Sequence, residues 1–149
     1  MILYIDMDGV IADFEKGVKN IEPNMEWTKE EVDRVCEANP HVFETLPWIE
    51  GAKEAIDVLK DYYTDIYFLS TPMCNIPESY TGKRKWIQKY FGEWADKRLI
   101  LTHRKDLCIG DILIDDRLKN GSESFKGKHI HFGQPEFPNW ESVLKYLIL

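Results

Sequence analysis

Short apolar runs alternate along this chain with segments of helical period, and the runs stop abruptly at polar residues. Ile2 to Ile5 is continuously apolar, as expected of a strand buried on both faces of a parallel sheet. The same reading predicts strands over 66–69, 98–101, 112–114 and 128–132. Helices are expected over 14–21, 28–38, 52–62, 81–91 and 140–149; Thr28 with Glu31 makes a capping box, and Asn39-Pro40 and Gly92 are stops. Strands alternating with helices imply a parallel sheet joined by right-handed crossovers, in which ligands sit outside the carboxyl ends of the strands. Three polar pairs fall at that edge: Asp6/Asp8, Ser70/Thr71 and Asp115/Asp116. Turn chemistry explains any one of them; three at one edge describe a site.

The stretch 15–50 breaks the rhythm, with two helical patterns and the large side chains Trp27, Phe43 and Trp48 ahead of the second strand's own helix. It reads as a small helical cap inserted after the first strand, with 1–14 and 51–149 forming the core of one domain. The alternative is an ordinary helical crossover with a long loop. The 149 residues suffice for one real core, and 44% hydrophobic with 30% charged content fits a globular chain. A net charge of −7 without a basic stripe argues against a nucleic-acid polymer as partner. Cys36, Cys74 and Cys108 are too widely spaced for a disulfide framework or a CxxC metal site, and a cytoplasmic protein with reduced thiols is expected. Neither a secretion signal nor a membrane span is read, because Asp6 and Asp8 interrupt the first apolar run.

Two carboxylates one residue apart repel unless a cation or a shared proton relieves them. Cleavage of a phosphate ester could use both: Asp6 as nucleophile, forming an aspartyl-phosphate, and Asp8 to protonate the leaving oxygen and then activate water. Asp6, a main-chain carbonyl near Asp8 and an acid from Asp115/Asp116 offer hard oxygen ligands suited to Mg²⁺. Amides of Met7, Asp8 and Gly9 could cradle phosphate oxygens, Ser70 or Thr71 could donate a hydroxyl, and a lysine could add a point charge.

This constellation resembles the haloacid dehalogenase superfamily of phosphohydrolases: Asp6-Met7-Asp8-Gly9-Val10, then Ser70-Thr71, Lys105 and Asp115-Asp116. Within it the chain resembles the 5'(3')-deoxyribonucleotidases. The matching stretches are Asp6 to Phe14, Gly51-Ala52, the run from Lys83 through Trp86 and Lys89 to Gly92, Leu101-Thr102 to Lys105, and Ile112 to Asp116. The resemblance implies an α/β fold, a Rossmann-like parallel sheet bearing a small cap, and a Mg²⁺-dependent phosphomonoesterase acting on nucleoside monophosphates, with deoxyribonucleotides favoured. It assigns Asp6 as nucleophile, Asp8 as general acid/base, and Mg²⁺ to Asp6, the Asp8 carbonyl and Asp116. Asp115 is the rival third ligand.

The resemblance also gives the phosphate to Lys105, with Lys83 as a second cation; Lys83 could equally belong to a solvated basic face with Arg84 and Lys85. Ser70 and Thr71 stand in exchanged order relative to the family's Thr-Ser pair, and Ser70 is the preferred phosphate donor. Phe14 matches an aromatic near the nucleobase, with packing between cap and body as its other reading. Trp27, Phe43 and Trp48 either extend a stacking wall or hold the cap together. His41, His103, His129 and His131 receive no role, and a homodimer is left open. Two other functions stay in view: a phosphatase of another small phosphorylated metabolite, and a phosphoacceptor regulatory domain.

Overall fold

A computed structural model describes all residues, Met1 to Leu149. The elements are β1 (Ile2–Ile5), α1 (Phe14–Ile21), α2 (Lys29–Ala38), α3 (Ala52–Leu59), β2 (Asp65–Ser70), α4 (Pro77–Phe91), β3 (Leu99–Leu101), β4 (Ile112–Asp115), β5 (Lys128–His131) and α5 (Trp140–Ile148), with four short 3₁₀ turns between them. The five strands form one parallel sheet in the order β3-β2-β1-β4-β5. The order reverses between β1 and β4, which is where a ligand crevice opens in such sheets.

The two faces of the sheet are covered unequally. Leu3, Ile5, Ile66, Phe68, Ile112, Ile114 and Ile130 point into the main core, packed under α3, α4 and α5. Alternate positions Tyr4, Leu69 and Leu113 build a smaller cluster with Phe125, to which no α-helix contributes. The reason is local: the connections 102–111 and 116–127 hold only the 3₁₀ turns Lys105–Leu107 and Ser122–Ser124. Both connections therefore cross that face as irregular chain, and they bring Lys105 and Arg117 to its upper edge.

Boundaries differ from the sequence reading by more than one residue in two places. Helix α4 begins at Pro77, four residues before the expected Thr81, because proline at the first helical position has its φ preset and lacks only an amide that would be unpaired anyway. Helix α3 ends at Leu59 instead of residue 62; Lys60 to Tyr63 close it with turn hydrogen bonds. Between β1 and β2 lie α1, α2 and the 3₁₀ turn Pro40–Glu44, the last seated against α4. Two buried tryptophans peg the loops here, Trp86 Nε1 donating to Leu46 O (2.9 Å) and Trp140 Nε1 to Val10 O (2.8 Å). No helix is long and apolar enough to cross a membrane.

Candidate active site

The parallel register places Ile5 beside Ile114, so the next residues of each strand, Asp6 and Asp115, stand side by side at the carboxyl edge. The Asp6 amide continues the ladder to Ile114 O (2.9 Å). Both carboxylates are buried, and Lys105 Nζ joins them at 3.1 Å from Asp6 Oδ1 and 2.6 Å from Asp115 Oδ2. Lys105 is itself buried and is fixed at the start of its 3₁₀ turn by its amide, which donates to Asn120 O. The other oxygen of Asp115 accepts from the Arg117 amide at 2.9 Å. A second lysine arrives from the middle of α4: Lys83 Nζ lies 2.8 Å from Asp8 Oδ2 and 2.7 Å from Ser70 Oγ. Lys83 is only 1% exposed, which removes the solvated-face alternative.

Asp6, Asp115 and Asp116 bring carboxylate oxygens within 4.8 Å of one another. Burial pushes the Asp6 carboxyl above its ordinary range, opposed by Lys105 and reinforced by Asp115. Asp116 is pushed up to about 8, chiefly by burial and then by Asp6 and Asp115. Burial draws the Lys105 ammonium down, but Asp6 and Asp115 outweigh it and hold its pKa above the usual lysine value. Four carboxyl groups and two lysines leave the cluster short of positive charge. Two buried oxygens, Asp8 Oδ1 and Asp116 Oδ1, have no hydrogen-bond partner. Crowded carboxylates with unspent acceptors, all of them oxygen, fit a hard divalent cation.

Gly9 adopts φ +80°, and a Cβ there would meet Asp116 Oδ2 at 2.1 Å, so glycine makes room for the acid. The expected phosphate cradle needs correction at this position. The Gly9 amide donates to Ala12 O (2.8 Å), and the amides of Val10, Ile11 and Ala12 all turn back onto Met7 O, leaving those of Met7 and Asp8 unspent. Thr71 Oγ1 is likewise committed, donating to Thr102 O at 2.8 Å, whereas Ser70 Oγ lies within the buried Lys83–Asp8 cluster.

Above this floor lies a cavity of about 670 Å³, lined by Asp6, Asp8, Lys105 and Asp115 at its base and by Phe14, Trp27, Val32 and Phe43 on one wall. Phe14 stacks on Phe43 (centroids 5.7 Å, 22°) and meets Trp27 edge-on at 6.0 Å. Trp48 is not on this wall: it packs at 4.7 Å from Trp86 and 4.9 Å from Tyr90, in the core under α4. The sequence reading missed Asp33, Asn75, His103, Arg117 and Lys119, which also line the cavity. His103 Nε2 bonds Pro72 O at 3.0 Å and ties two rim loops together. Its signal was its place just beyond β3, two residues before Lys105. Of the other histidines, His129 and His131 reach the main-chain carbonyls of Asp115 and Asp116.

The model of the family "5' nucleotidase, deoxy (Pyrimidine), cytosolic type C protein" matches residues 25–144. A Vibrio phage KVP40 protein named as a 5'(3')-deoxyribonucleotidase is 44% identical over 146 residues, covering 98% of this chain and 84% of that protein. The human cytosolic-type 5'(3')-deoxyribonucleotidase is 29% identical over 166 aligned positions, covering 94% of this chain and 77% of that protein. Among solved structures, a HAD-hydrolase of Bacillus subtilis, crystallised with magnesium, superposes with a TM-score of 0.68 at 12% identity, covering 99% of this chain and 98% of that one. With its parallel sheet and its acidic pairs on either side of the strand-order reversal, the chain belongs to the 5'(3')-deoxyribonucleotidase family.

Proposed function

We propose that the protein is a Mg²⁺-dependent phosphomonoesterase that releases phosphate from nucleoside monophosphates, with deoxyribonucleotides preferred, through an aspartyl-phosphate on Asp6. One observation carries this reading: Asp6, Asp8 and Lys105 converge at the floor of a cavity whose side wall is aromatic, with Lys83 buried behind Asp8. A carboxylate oxygen of Asp6 attacks phosphorus as the ester P–O bond breaks, and Asp8 gives its proton to the departing alkoxide. Asp8, now ionised, takes a proton from the water that attacks the phosphoryl group, and the broken bond restores the Asp6 carboxylate. Lys83, hydrogen-bonded to Asp8 and Ser70, holds the acid/base in place. Lys105 and Lys83 oppose the negative charge of the phosphate, with the Ser70 hydroxyl as donor. The Asp6 carboxylate, the Asp8 main-chain carbonyl and Asp116 would hold Mg²⁺, and Asp115, engaged by Lys105 and the Arg117 amide, would orient them. When bound, the cation offsets charge that two lysines alone leave uncompensated.

The sugar and base would lie against Phe14, Trp27 and Phe43, and residues 15–50 would act as the cap that brings this wall over the floor. Phosphate release from 2'-deoxy and ribo 5'- and 3'-monophosphates, beside sugar phosphates, tests the reading in Mg²⁺ and in chelator. The expected result is metal-dependent release with kcat/KM for deoxynucleotides at least about tenfold above sugar phosphates, equivalent to about 1.4 kcal/mol. Equal rates across the panel would retain the Asp6/Asp8 chemistry and discard the nucleotide preference.

A further inference from the structure

The acidic pair at the end of β4 is anchored asymmetrically. The Asp115 side chain is held at both oxygens, by Lys105 Nζ and by the Arg117 amide. Asp116 Oδ1, by contrast, is buried without a partner. What holds Asp116 is its main chain: His131 Nε2 lies 3.1 Å from Asp116 O. The neighbouring His129 Nε2 lies 3.2 Å from Asp115 O, but that carbonyl also accepts the ladder bond from the Phe132 amide at 3.0 Å. No backbone amide reaches Asp116 O, because β4 leaves the sheet after Asp115. A carbonyl only accepts, so Nε2 carries the hydrogen in both imidazoles. The two rings stack at 5.4 Å and 25°, each limiting the other's rotation on the edge strand β5.

We infer that His131 is a positioning residue for the cation site: by clamping the Asp116 carbonyl it aims the Asp116 carboxyl toward Asp6 and Asp115. Without that bond the Asp116–Arg117 peptide is held from one side only, by the Arg117 amide on Asp115 Oδ1, and the Asp116 carboxyl, with no side-chain partner of its own, gains freedom to turn away from Asp6. His129 adds little, since the carbonyl it touches keeps its ladder donor. This inference rests on the proposed cation reading.

The test measures Mn²⁺ affinity of the protein by electron paramagnetic resonance, together with metal-free thermal unfolding. Wild type, His131→Leu, His131→Gln and His129→Leu are compared. Glutamine keeps a nitrogen donor near the Nε2 position, whereas leucine removes it. The expected result is a loss of Mn²⁺ affinity of about tenfold or more in H131L, most of it recovered in H131Q and little of it seen in H129L, with metal-free melting close to wild type. If H131L fails to fold, His131→Asn, polar but too short to reach Asp116 O, takes its place. Wild-type affinity in H131L, equal losses in H131L and H131Q, or an equal loss in H129L would each overturn the inference while leaving the cation reading intact. Absence of Mn²⁺ binding by wild type would overturn both.

Discussion

Between Gly9 and Asp116 there is no room for a methyl group: the added carbon would sit 2.1 Å from Asp116 Oδ2, at a φ of +80° that disfavours any side chain. Gly9→Ala should therefore cost about 1–3 kcal/mol of stability and displace the acid that the cation site needs. Urea unfolding and Mn²⁺ titration together check both halves, and a variant with wild-type stability would contradict the steric reading. Asp6→Asn keeps the size of the side chain and removes the nucleophile. Phosphate release should fall by about 10³-fold or more while the melting temperature stays near wild type; residual turnover within tenfold of wild type would sink the assignment. Both residues were legible in the sequence as a motif. The steric duty of Gly9 was not, because it depends on a residue more than a hundred positions away.

Helix α4 shows how an element's placement changes the meaning of its residues. Its Gly82 lies so close to the 3₁₀ turn Pro40–Glu44 that an added Cβ would approach Phe43 Cβ at 2.7 Å. That approach buries Lys83 beneath the turn and sets its ammonium 6.0 Å from the Phe43 ring. By sequence alone Lys83, Arg84 and Lys85 form one basic cluster; in the fold only Lys83 faces inward, toward Asp8 and Ser70. The aromatic residues before α3 divide in the same way. Phe14, exposed to the cavity and stacked on Phe43, should matter to a bound base: Phe14→Ala is expected to raise KM for deoxynucleotides severalfold more than for p-nitrophenyl phosphate. Equal changes for the two substrates would assign the ring to packing. Trp48, held among Trp86, Tyr90 and Phe91, should behave oppositely: Trp48→Ala should cost about 3 kcal/mol of stability and leave the ratio of the two KM values unchanged.

At the scale of the molecule, the strand order 3-2-1-4-5 brings residues 6–8, 70, 105 and 115–116 to one edge, and the reversal between β1 and β4 opens the crevice there. Because the assembled cluster holds more carboxyl groups than lysines, removing the cation should silence turnover. Dialysis against chelator is expected to abolish phosphate release and Mg²⁺ to restore it, and activity indifferent to chelation would refute the proposed metal role. Much of this was written in the chain itself. Apolar runs ending in polar pairs determine a parallel α/β sheet with its chemistry at the carboxyl edge, since a strand buried on both faces can place charge only past its end. The motif residues around Asp6, Ser70, Lys105 and Asp115 carried the family. Tertiary structure decided what depends on distance through space: the burial of Lys83, the division of Phe14 from Trp48, the room Gly9 leaves for Asp116, and the seating of His131 on the Asp116 carbonyl. Sequence periodicity reports which face of an element is apolar; it cannot report which partner that face, or a polar side chain beside it, meets when the elements close together.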